Sequence, residues 1–476
     1  MNKLMTNVLY FLCVIFLEVT SKADDNIGHY KPNWKSLDSR PLPSWYDEAK
    51  IGIFVHWGVF SVPALRGKSN TAESFWTGWQ NSKPGDFLYD FMKSNYPAQW
   101  TYGDFANQFT AELFDATKWV KLFQDAGARY LIFVTKHREG FSNWNTNYSF
   151  NWNSMQVGPK RDIVAEIAGA VRQTDMRLGL YHNMIDWHNP LFLMDKSNNF
   201  STQLYVNGKM IPEVKELINT FQPDLLWSDD TPAPTDYFES KQFLAWLYNY
   251  SPVRDHIVVN DRWGMDTTCA HGGYLTCTDH YNPKVLQKRK WENCDTAQKS
   301  TWGYARNKDL SDYQDIHSIL SKIAQTISCG GNYVLNVGPT HDGRILPIFE
   351  ERLRQMGAWL KVNGEGVYAS SPWRYQNDTV SGNVWYTQKK SNSSSSGYSV
   401  YAFILEWPEN NKLTLGSPIA TPTTTISMLG YSDVNQHFEY SRRRDGAGLV
   451  VKFPYIPPNK LPSFYAWVLK LDNLGN

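Results

Sequence analysis

Residues 224–229 read Asp224-Leu225-Leu226-Trp227-Ser228-Asp229, a short apolar run that ends on an acidic side chain. Three other stretches, at residues 51–56, 256–261 and 273–279, are also apolar runs that stop on a polar group able to take part in catalysis. Short apolar runs bounded by polar residues indicate strands buried on both faces, and parallel barrels carry their reactive groups where such strands end. The four runs therefore predict an enzyme built on a parallel sheet.

Strand-like and helix-like segments alternate on both sides of these runs, from about Tyr46 to Tyr368. The strand candidates are residues 51–56, 130–136, 177–182, 224–229, 256–261, 273–279 and 333–337. The helix candidates, which have apolar residues at helical spacing, are residues 116–126, 163–172, 211–221 and 313–328. This alternation predicts an α/β fold, a (β/α)8-like barrel of the TIM type, as the catalytic domain over residues 24–367.

The pattern changes after Val367 to short strand-like runs separated by turn residues. These runs are residues 384–386, 398–405, 412–415, 425–429, 449–453 and 464–469. They predict an antiparallel β-sandwich as a second domain over residues 368–476. The polar stretch at 391–397 is interpreted as a flexible loop inside it, because polar low-complexity sequence buries too little surface to order itself.

The first 23 residues have the form of a secretory signal. They combine Lys3, an apolar run at 8–17 and the small-x-small sequence Ser21-Lys22-Ala23. A membrane anchor is the alternative, but the run is short for a span and no second long apolar stretch follows. Five Asn-x-Ser/Thr triplets agree with passage through the secretory pathway, at Asn147, Asn199, Asn249, Asn377 and Asn392. We expect a glycoprotein of the lysosome or the extracellular space that is free of the membrane once the signal is removed.

Removal of the signal leaves four cysteines, Cys269, Cys277, Cys294 and Cys329. Cys269 and Cys277 are close in sequence, and in an oxidising compartment they could close a small loop. Four buried thiols are the alternative. The spacings do not suit zinc, and we expect neither a metal nor a cofactor.

The composition and net charge of the chain indicate which kinds of molecule it binds. The chain has 476 residues, a formal net charge of only +1 and no long basic or acidic block, which argues against nucleic acid or an anionic membrane as the partner. Aromatic residues make up 15% of the chain, with 20 Trp and 27 Tyr. Many of them will pack the core, but aromatic faces also stack on the apolar faces of sugars, which favours a carbohydrate enzyme.

Several multi-residue motifs occur in a characteristic order. They are Trp45-Tyr46-Asp47-Glu48-Ala49-Lys50-Ile51-Gly52-Ile53-Phe54-Val55-His56-Trp57-Gly58, Thr135-Lys136-His137, Trp227-Ser228-Asp229, Asn260-Asp261-Arg262-Trp263 and Lys290-Trp291-Glu292-x-Cys294. From about Tyr46 to its end the chain resembles the α-L-fucosidases, glycoside hydrolase family 29. The resemblance implies a retaining exo-hydrolase that removes terminal α-L-fucose from glycoproteins, glycolipids or oligosaccharides, and it implies a homo-oligomer.

A retaining glycosidase needs two carboxyl groups about 5 to 5.5 Å apart, one to attack the anomeric carbon and one to protonate the departing oxygen. Asp229 is the predicted nucleophile, because it ends the best strand and matches the family position in the Trp-x-Asp motif. A helix cap or turn aspartate is the alternative role. Asp279 is the preferred acid/base because it ends an apolar run, and Glu292 is the alternative because it stands in a family motif behind the charged segment Lys288-Arg289-Lys290.

Further side chains are predicted to bind the sugar. The resemblance places His56, His137 and Arg262 against the fucose hydroxyls, with Glu73 and Trp227 as wall residues. We add Arg138 and Tyr181 as further candidates. Donors aimed at hydroxyls gain strength in a water-poor pocket and reject sugars with another hydroxyl pattern. For the two histidines the alternative is a satisfied role in the core.

Four positions depart from the family pattern, namely Ser74, Arg138, His182 and Asp230 in place of a Trp, a His, a Tyr and a Gly. Asp230 beside Asp229 adds a like charge that could perturb the nucleophile, and Arg138 supplies a longer cationic donor. These departures keep open an alternative function, a catalytically weakened or inactive relative that acts as a fucose-binding protein. The linkage that is cleaved depends on loops around the pocket mouth.

Overall fold

A computed structural model describes residues 30–68, 70–391, 394, 397–432, 437–443 and 448–476. The predicted signal at 1–23, the triplet asparagine Asn392 and most of the predicted loop around it lie outside the described residues.

Seven parallel strands form the first sheet. They are β1 (Ile51–Val55), β2 (Tyr130–Lys136), β3 (Arg177–Asn183), β4 (Leu225–Asp229), β5 (Val258–Val259), β6 (Trp291–Thr296) and β7 (Gly331–Val337). Their order across the sheet is β5-β4-β3-β2-β1-β7-β6. Nearly every residue of these strands is buried, as expected where helices cover a parallel sheet. Six of the seven predicted strands are confirmed, and their carboxyl ends lie at one edge.

The predicted strand at 273–279 is wrong, and β6 takes its place. The backbone at Tyr274 and Leu275 bridges the two sheet edges, because Tyr274 N donates to Val259 O at 3.1 Å and Leu275 N to Lys290 O at 2.9 Å. After Leu275 the backbone turns to the Asp261 carboxylate, which accepts from the N–H groups of Thr276 and Cys277 at 2.9 and 3.1 Å. Backbone donors that bind a carboxylate cannot continue a strand ladder. The segment therefore closes the barrel without becoming its eighth strand.

Helices flank the sheet. They are α1 (Trp34–Leu37), α2 (Ser44–Ala49), α3 (Phe75–Gln80), α4 (Phe87–Asn95), α5 (Ala116–Asp125), α6 (Ile163–Val171), α7 (Pro190–Ser197), α8 (Ile211–Phe221), α9 (Thr235–Phe238), α10 (Ser240–Asn249), α11 (Ile316–Ser328) and α12 (Pro347–Asn363). The four predicted helices are confirmed as α5, α6, α8 and α11. Asp115, Asp162 and Asp315 cap α5, α6 and α11 by accepting a bond from a backbone N–H of the first turn.

The barrel interior is filled by side chains from all seven strands. One buried cluster contains Phe54, Ile132, Tyr181, Trp227, Val258, Cys294 and Val334. The interior is therefore a packed core, and an open cavity is left only above it, at the carboxyl ends of the strands.

Two antiparallel sheets follow. The strands are β8 (Ser371–Asn377), β9 (Val384–Lys390), β10 (Tyr398–Ile404), β11 (Lys412–Leu415), β12 (Ala420–Met428), β13 (Glu439–Arg442), β14 (Leu449–Lys452) and β15 (Trp467–Leu474). Their orders are β12-β15-β10-β9-β8 and β11-β14-β13, and the two sheets share one buried cluster. This is the predicted sandwich, and the six predicted strands are confirmed as β9, β10, β11, β12, β14 and β15.

The sandwich packs on the barrel helices. Phe403 of β10 and Trp359 of α12 belong to the same buried cluster, and Trp359 Nε1 donates to Ala466 O at 2.9 Å. Within the described residues, no helix has both the length and the apolar character needed to cross a bilayer.

Candidate active site

A cavity of about 360 Å³ opens at the carboxyl ends of the barrel strands. It is lined by Phe54, His56, Asn70, Thr71, Glu73, Ser74, Thr77, His137, Arg138, Tyr181, Trp227, Asp229, Arg262, Asp279 and Trp302. Nine of the ten predicted site residues are in this set. Glu292 is the exception.

Asp229 is the last residue of β4 and sits at the base of the cavity. Its Oδ2 accepts from the Tyr181 hydroxyl at 2.9 Å, and its Oδ1 accepts from Arg262 Nη1 at 2.9 Å. Burial alone would raise the pKa of Asp229, but the positive charges of Arg262 and Arg138 outweigh it and hold this pKa below its ordinary value. The carboxylate is therefore ionised, as an attacking group must be.

Arg262 joins Asp229 to Asp279. Its Nη2 donates to Asp279 Oδ1 at 2.7 Å while Nη1 holds Asp229, and its Nε donates to Thr276 Oγ1 at 3.1 Å. The guanidinium is a rigid fork, so carboxylates on its two terminal nitrogens lie side by side. Asp279 also accepts from Trp302 Nε1 at 3.2 Å, and its side chain is 48% exposed to the cavity mouth. A substrate can reach both carboxyl groups.

Glu292 is enclosed beneath the cavity floor. It is 0% exposed and is surrounded by donors from Tyr46, Tyr130, Trp227 and Cys294 at 2.7, 2.9, 3.1 and 3.2 Å. Burial raises the pKa of this carboxyl. The indole of Trp227 lines the cavity and donates to Glu292, so Glu292 supports a wall residue and does not face the cavity.

His56 follows β1 and is held by one amide. Asn336 Nδ2 donates to Trp302 O at 2.7 Å, which turns its Oδ1 toward His56 Nδ1 at 2.7 Å. His56 must then donate from Nδ1, leaving a lone pair on Nε2. Burial lowers the pKa of His56 to about 4, so the ring is neutral at physiological pH. A neutral ring with this tautomer can accept a hydroxyl hydrogen.

Aromatic rings form one side of the cavity. Tyr181 stacks on Trp227 on one face and on His137 on the other, with centroid separations of 5.5 and 5.6 Å. Burial lowers the pKa of His137 well below its ordinary value, and the charge of Arg138 lowers it further. The cavity thus combines neutral rings with a single bridged carboxylate pair.

Two of the departures from the family pattern compensate each other. Arg138 Nε lies 2.8 Å from Asp230 Oδ2, and Asn183 Nδ2 donates to the same oxygen at 2.6 Å. Burial and the neighbouring charge of Asp229 raise the pKa of Asp230 to about 6, and Arg138 opposes that rise. The like charge that the sequence places beside Asp229 is therefore neutralised by its own partner, Arg138.

The other two departures from the family pattern, Ser74 and His182, lie in different parts of the structure. Ser74 lines the cavity, whereas His182 is buried outside it, with Nε2 at 3.5 Å from Glu213 Oε2 and Nδ1 at 3.0 Å from Thr135 Oγ1. Burial lowers the pKa of His182 to about 4. His182 therefore belongs to a buried network behind β3 and does not contact a ligand in the cavity.

Trp302 lines the cavity but was missed from the sequence, because it lies in a loop with no strand pattern to mark it. Glu73 fixes this loop, since its Oε2 accepts from Trp302 N at 3.2 Å and from Gly303 N at 2.9 Å. Cys269 and Cys277 form a disulfide, as the sequence allowed, and Cys294 and Cys329 are buried thiols. In the part of the chain that the structure describes, no three His, Cys, Asp or Glu side chains are grouped as metal ligands.

Two family models match this chain. The model described as alpha-L-fucosidase matches residues 17–365, and the model described as alpha-L-fucosidase C-terminal domain matches residues 376–472. The first match spans every residue that lines the cavity.

Similar proteins come from animals and bacteria. An alpha-L-fucosidase of Branchiostoma floridae is 50% identical, covering 94% of this chain and 96% of its own. The tissue alpha-L-fucosidase of Homo sapiens is 49% identical, covering 94% of this chain and 92% of its own. The crystal structure of the Thermotoga maritima alpha-fucosidase in complex with fucose has a TM-score of 0.78 and 30% identity, and covers 93% of this chain and 100% of that one.

Proposed function

The chain belongs to the α-L-fucosidase family, and we propose that this glycoside hydrolase releases terminal α-L-fucose from glycans with Asp229 as nucleophile and Asp279 as acid/base. One observation supports these roles above the others. A single guanidinium, that of Arg262, binds both carboxyl groups at 2.9 and 2.7 Å inside one cavity. This arrangement suits the separation of about 5 to 5.5 Å that a retaining mechanism requires.

The first step breaks the glycosidic bond. An Asp229 oxygen attacks the anomeric carbon, the bond from that carbon to the glycan oxygen breaks, and the Asp279 proton passes to this oxygen. A bound glycan covers the half-exposed Asp279 carboxyl and brings its glycosidic oxygen to this group. The products are the free glycan alcohol and a fucosyl ester on Asp229.

The second step returns the enzyme to its starting state. Asp279, now ionised, takes a proton from water, and the water oxygen attacks the anomeric carbon and releases Asp229. His56 Nε2 accepts a hydrogen bond from a fucose hydroxyl. Arg138, His137 and Trp227 line the rest of the cavity around the sugar. Because these donors and acceptors are fixed before the sugar arrives, they can distinguish fucose from sugars with another hydroxyl pattern.

Two nucleophile variants test the role of Asp229. Asp229→Asn should abolish release of an aryl α-L-fucoside, and Asp229→Gly should regain turnover with azide and yield a fucosyl azide of inverted configuration. Sugar binding that persists in the parent without any release would instead favour the fucose-binding alternative. Full activity of Asp229→Asn would reject the assignment.

Substrates with different leaving groups test whether Asp279 or Glu292 is the acid/base. Asp279→Asn should lose about 10² to 10⁴ in kcat/KM on a poor leaving group and much less on a dinitrophenyl fucoside, which needs no protonation. Glu292→Gln is the matched variant, and its loss should be the same on both substrates because Glu292 acts through Trp227. If the loss in kcat/KM depends on the leaving group in Glu292→Gln and not in Asp279→Asn, Glu292 is the acid/base.

We further propose a secretory-pathway destination, either the lysosome or the extracellular space, and a homo-oligomeric state. The predicted signal and the similarity to tissue and plasma fucosidases support the destination. Light scattering on the purified protein tests the assembly, and a monomer at micromolar concentration would reject it.

A further inference from the structure

A second cleft, of about 670 Å³, lies beside the catalytic cavity. It is lined by Trp76, Trp79, Gln80, Trp100, Thr101, Tyr102, Gly103, Tyr148, Ser149, Phe150, Trp152, Asp186, His188, Asn189, Pro190 and Lys209. Its volume lies in the range of sites that enclose a ligand, about 300 to 1,000 Å³. The mechanism above uses none of these residues.

The cleft is rich in indoles. Trp76, Trp79, Trp100 and Trp152 are each partly exposed and packed against the barrel core on one side only. Indole rings offer rigid apolar faces with a polar N–H edge, the combination that binds the apolar face of a sugar ring while hydroxyls are satisfied at the rim. The surface therefore suits a carbohydrate better than a purely apolar partner.

One polar group in the cleft has no partner. The Trp100 Nε1 is buried and donates to no other group of the described residues. Buried donors in proteins are almost always bonded, so this unpaired N–H is a candidate donor to a ligand in the cleft that Trp100 lines. Buried Asp186 and Lys209 add charged groups to the same cleft.

The cleft lies next to the catalytic cavity, and residues of α3 line both. Thr77 of that helix lines the cavity, whereas its neighbour Trp76 and Trp79 line the cleft. Rings bridge the two spaces, because the Trp76 ring lies 5.4 Å from that of Trp187, which in turn lies 5.4 Å from the Arg138 guanidinium of the cavity. A chain of sugars that leaves the cavity past α3 meets the indoles directly.

We propose that this aromatic cleft binds the sugars of the glycan from which fucose is removed. The inference rests on the proposed hydrolase function and extends it from the terminal fucose to the rest of the substrate. Stacking on Trp79 and a hydrogen bond that the Trp100 N–H donates to a sugar hydroxyl retain an oligosaccharide, whereas an aryl fucoside is too short to reach them. The cleft therefore acts on the affinity for oligosaccharides and leaves the chemistry at Asp229 unchanged.

Two variants and one control test the cleft. Trp79→Ala removes a stacking face, and Trp100→Phe keeps an aromatic ring but removes the N–H together with the second ring of the indole. Phe87→Ala is the control, because Phe87 is an exposed aromatic residue on the neighbouring helix α4 and does not line the cleft. The kcat/KM of each protein is measured on an aryl α-L-fucoside and on fucosylated tetra- and pentasaccharides of each linkage.

Both cleft variants should lose about three- to tenfold in kcat/KM on their best oligosaccharide, mainly through KM, and should stay within about twofold of the parent on the aryl fucoside. Equal losses on both kinds of substrate, or no loss on any oligosaccharide, would overturn the proposal. If Trp79→Ala does not fold, Trp100→Phe alone decides. A parent that releases nothing from the aryl fucoside would reject the hydrolase function instead, and calorimetry with the fucose-free tetrasaccharides would then test the cleft by itself.

Discussion

Asp229 and Asp230 are adjacent in sequence, but their surroundings shift their pKa values in opposite directions. Asp229 faces Arg262 and Tyr181, and Asp230 faces Arg138 and turns away from the cavity with a backbone φ of 50°. Left-handed backbone at a non-glycine residue is tolerated best by Asn and Asp. The aspartate after the proposed nucleophile can therefore occupy a position where the family commonly has glycine, provided that Arg138 neutralises it.

Arg138 should set the acid limit of activity. Its charge helps to lower the pKa of Asp229, so Arg138→Gln should raise that pKa and move the acid limb of the kcat/KM profile upward by about 0.5 to 1 pH unit. Arg177→Gln is the control, because Arg177 forms a half-exposed ion pair with Asp224 at the other end of the strands. An unmoved acid limb in Arg138→Gln would contradict the expectation.

Glu139 should make the fold less stable as the pH rises. Burial raises the pKa of this carboxyl from 4.5 to about 8, so the stabilisation of its protonated form is fully present below pH 4.5 and is lost as the pH rises through about 8. Between these limits the loss is about 1.4 kcal/mol per pH unit. Glu139→Gln cannot ionise and should not show this loss.

The measurement for Glu139 is urea unfolding at pH 5, 6 and 7. The free energy of unfolding of Glu139→Gln minus that of the parent should grow with pH, whereas the same difference for Glu112→Gln, an exposed glutamate, should stay constant. If the free energy of unfolding changes with pH in the same way for the parent and for Glu139→Gln, the buried Glu139 carboxyl is not the cause of the pH dependence.

At the scale of elements, the segment between β5 and β6 determines the position of Asp279, the proposed acid/base. It begins with backbone bonds to both sheet edges, then wraps around the Asp261 carboxylate, and it carries Thr276 against Arg262 before reaching Asp279. A regular eighth strand would alternate its side chains across the sheet. The irregular backbone instead brings Thr276 and Asp279 to the same guanidinium.

The disulfide Cys269–Cys277 should stabilise this segment. Its removal in Cys269→Ser/Cys277→Ser should cost about 2 to 3 kcal/mol of unfolding free energy, as expected for a short closed loop. Cys329→Ala is the control, because it removes a buried free thiol outside this segment. A fall in activity in the double variant without one in Cys329→Ala would show that this loop positions Asp279, whereas a fall in Cys329→Ala alone would assign that role to the barrel core. Denaturant melts and kcat/KM on an aryl fucoside, with and without a reducing agent, measure both effects.

At the scale of the whole molecule, the catalytic cavity is formed by the barrel alone, and the sandwich contributes to stability. The sandwich covers α11 and α12 on a face away from the cavity, through buried side chains such as Phe403 and Val468. No residue beyond Trp302 lines the cavity among those that the structure describes. The second domain therefore seals apolar surface that the barrel helices would otherwise expose to water.

A large-to-small change at the domain interface separates stability from activity. Phe403→Ala should lower the free energy of unfolding by about 3 to 5 kcal/mol, because it leaves a cavity against Trp359, while kcat at 25 °C stays within about twofold of the parent. Phe464→Ala is the control, since Phe464 is exposed in the same domain and its loss should change stability by less than about 0.5 kcal/mol. A large fall in kcat at Phe403→Ala would show that the sandwich also shapes the site.

Local pattern in the sequence was sufficient for six barrel strands, four helices, six sandwich strands and the position of Asp229, because burial on both faces and helical spacing are visible within short windows. It failed at 273–279 and at β6, and it missed the edge strands β8 and β13, whose mostly exposed residues lack an apolar alternation. Only the tertiary structure distinguished Asp279, open to the cavity, from Glu292, enclosed beneath Trp227. It also brought Arg138 to Asp230 and Arg262 to two carboxylates. Those outcomes depend on contacts between residues far apart in sequence, and exposure, charge pairing and hydrogen bonding at such contacts are properties of the packed chain that no short window contains.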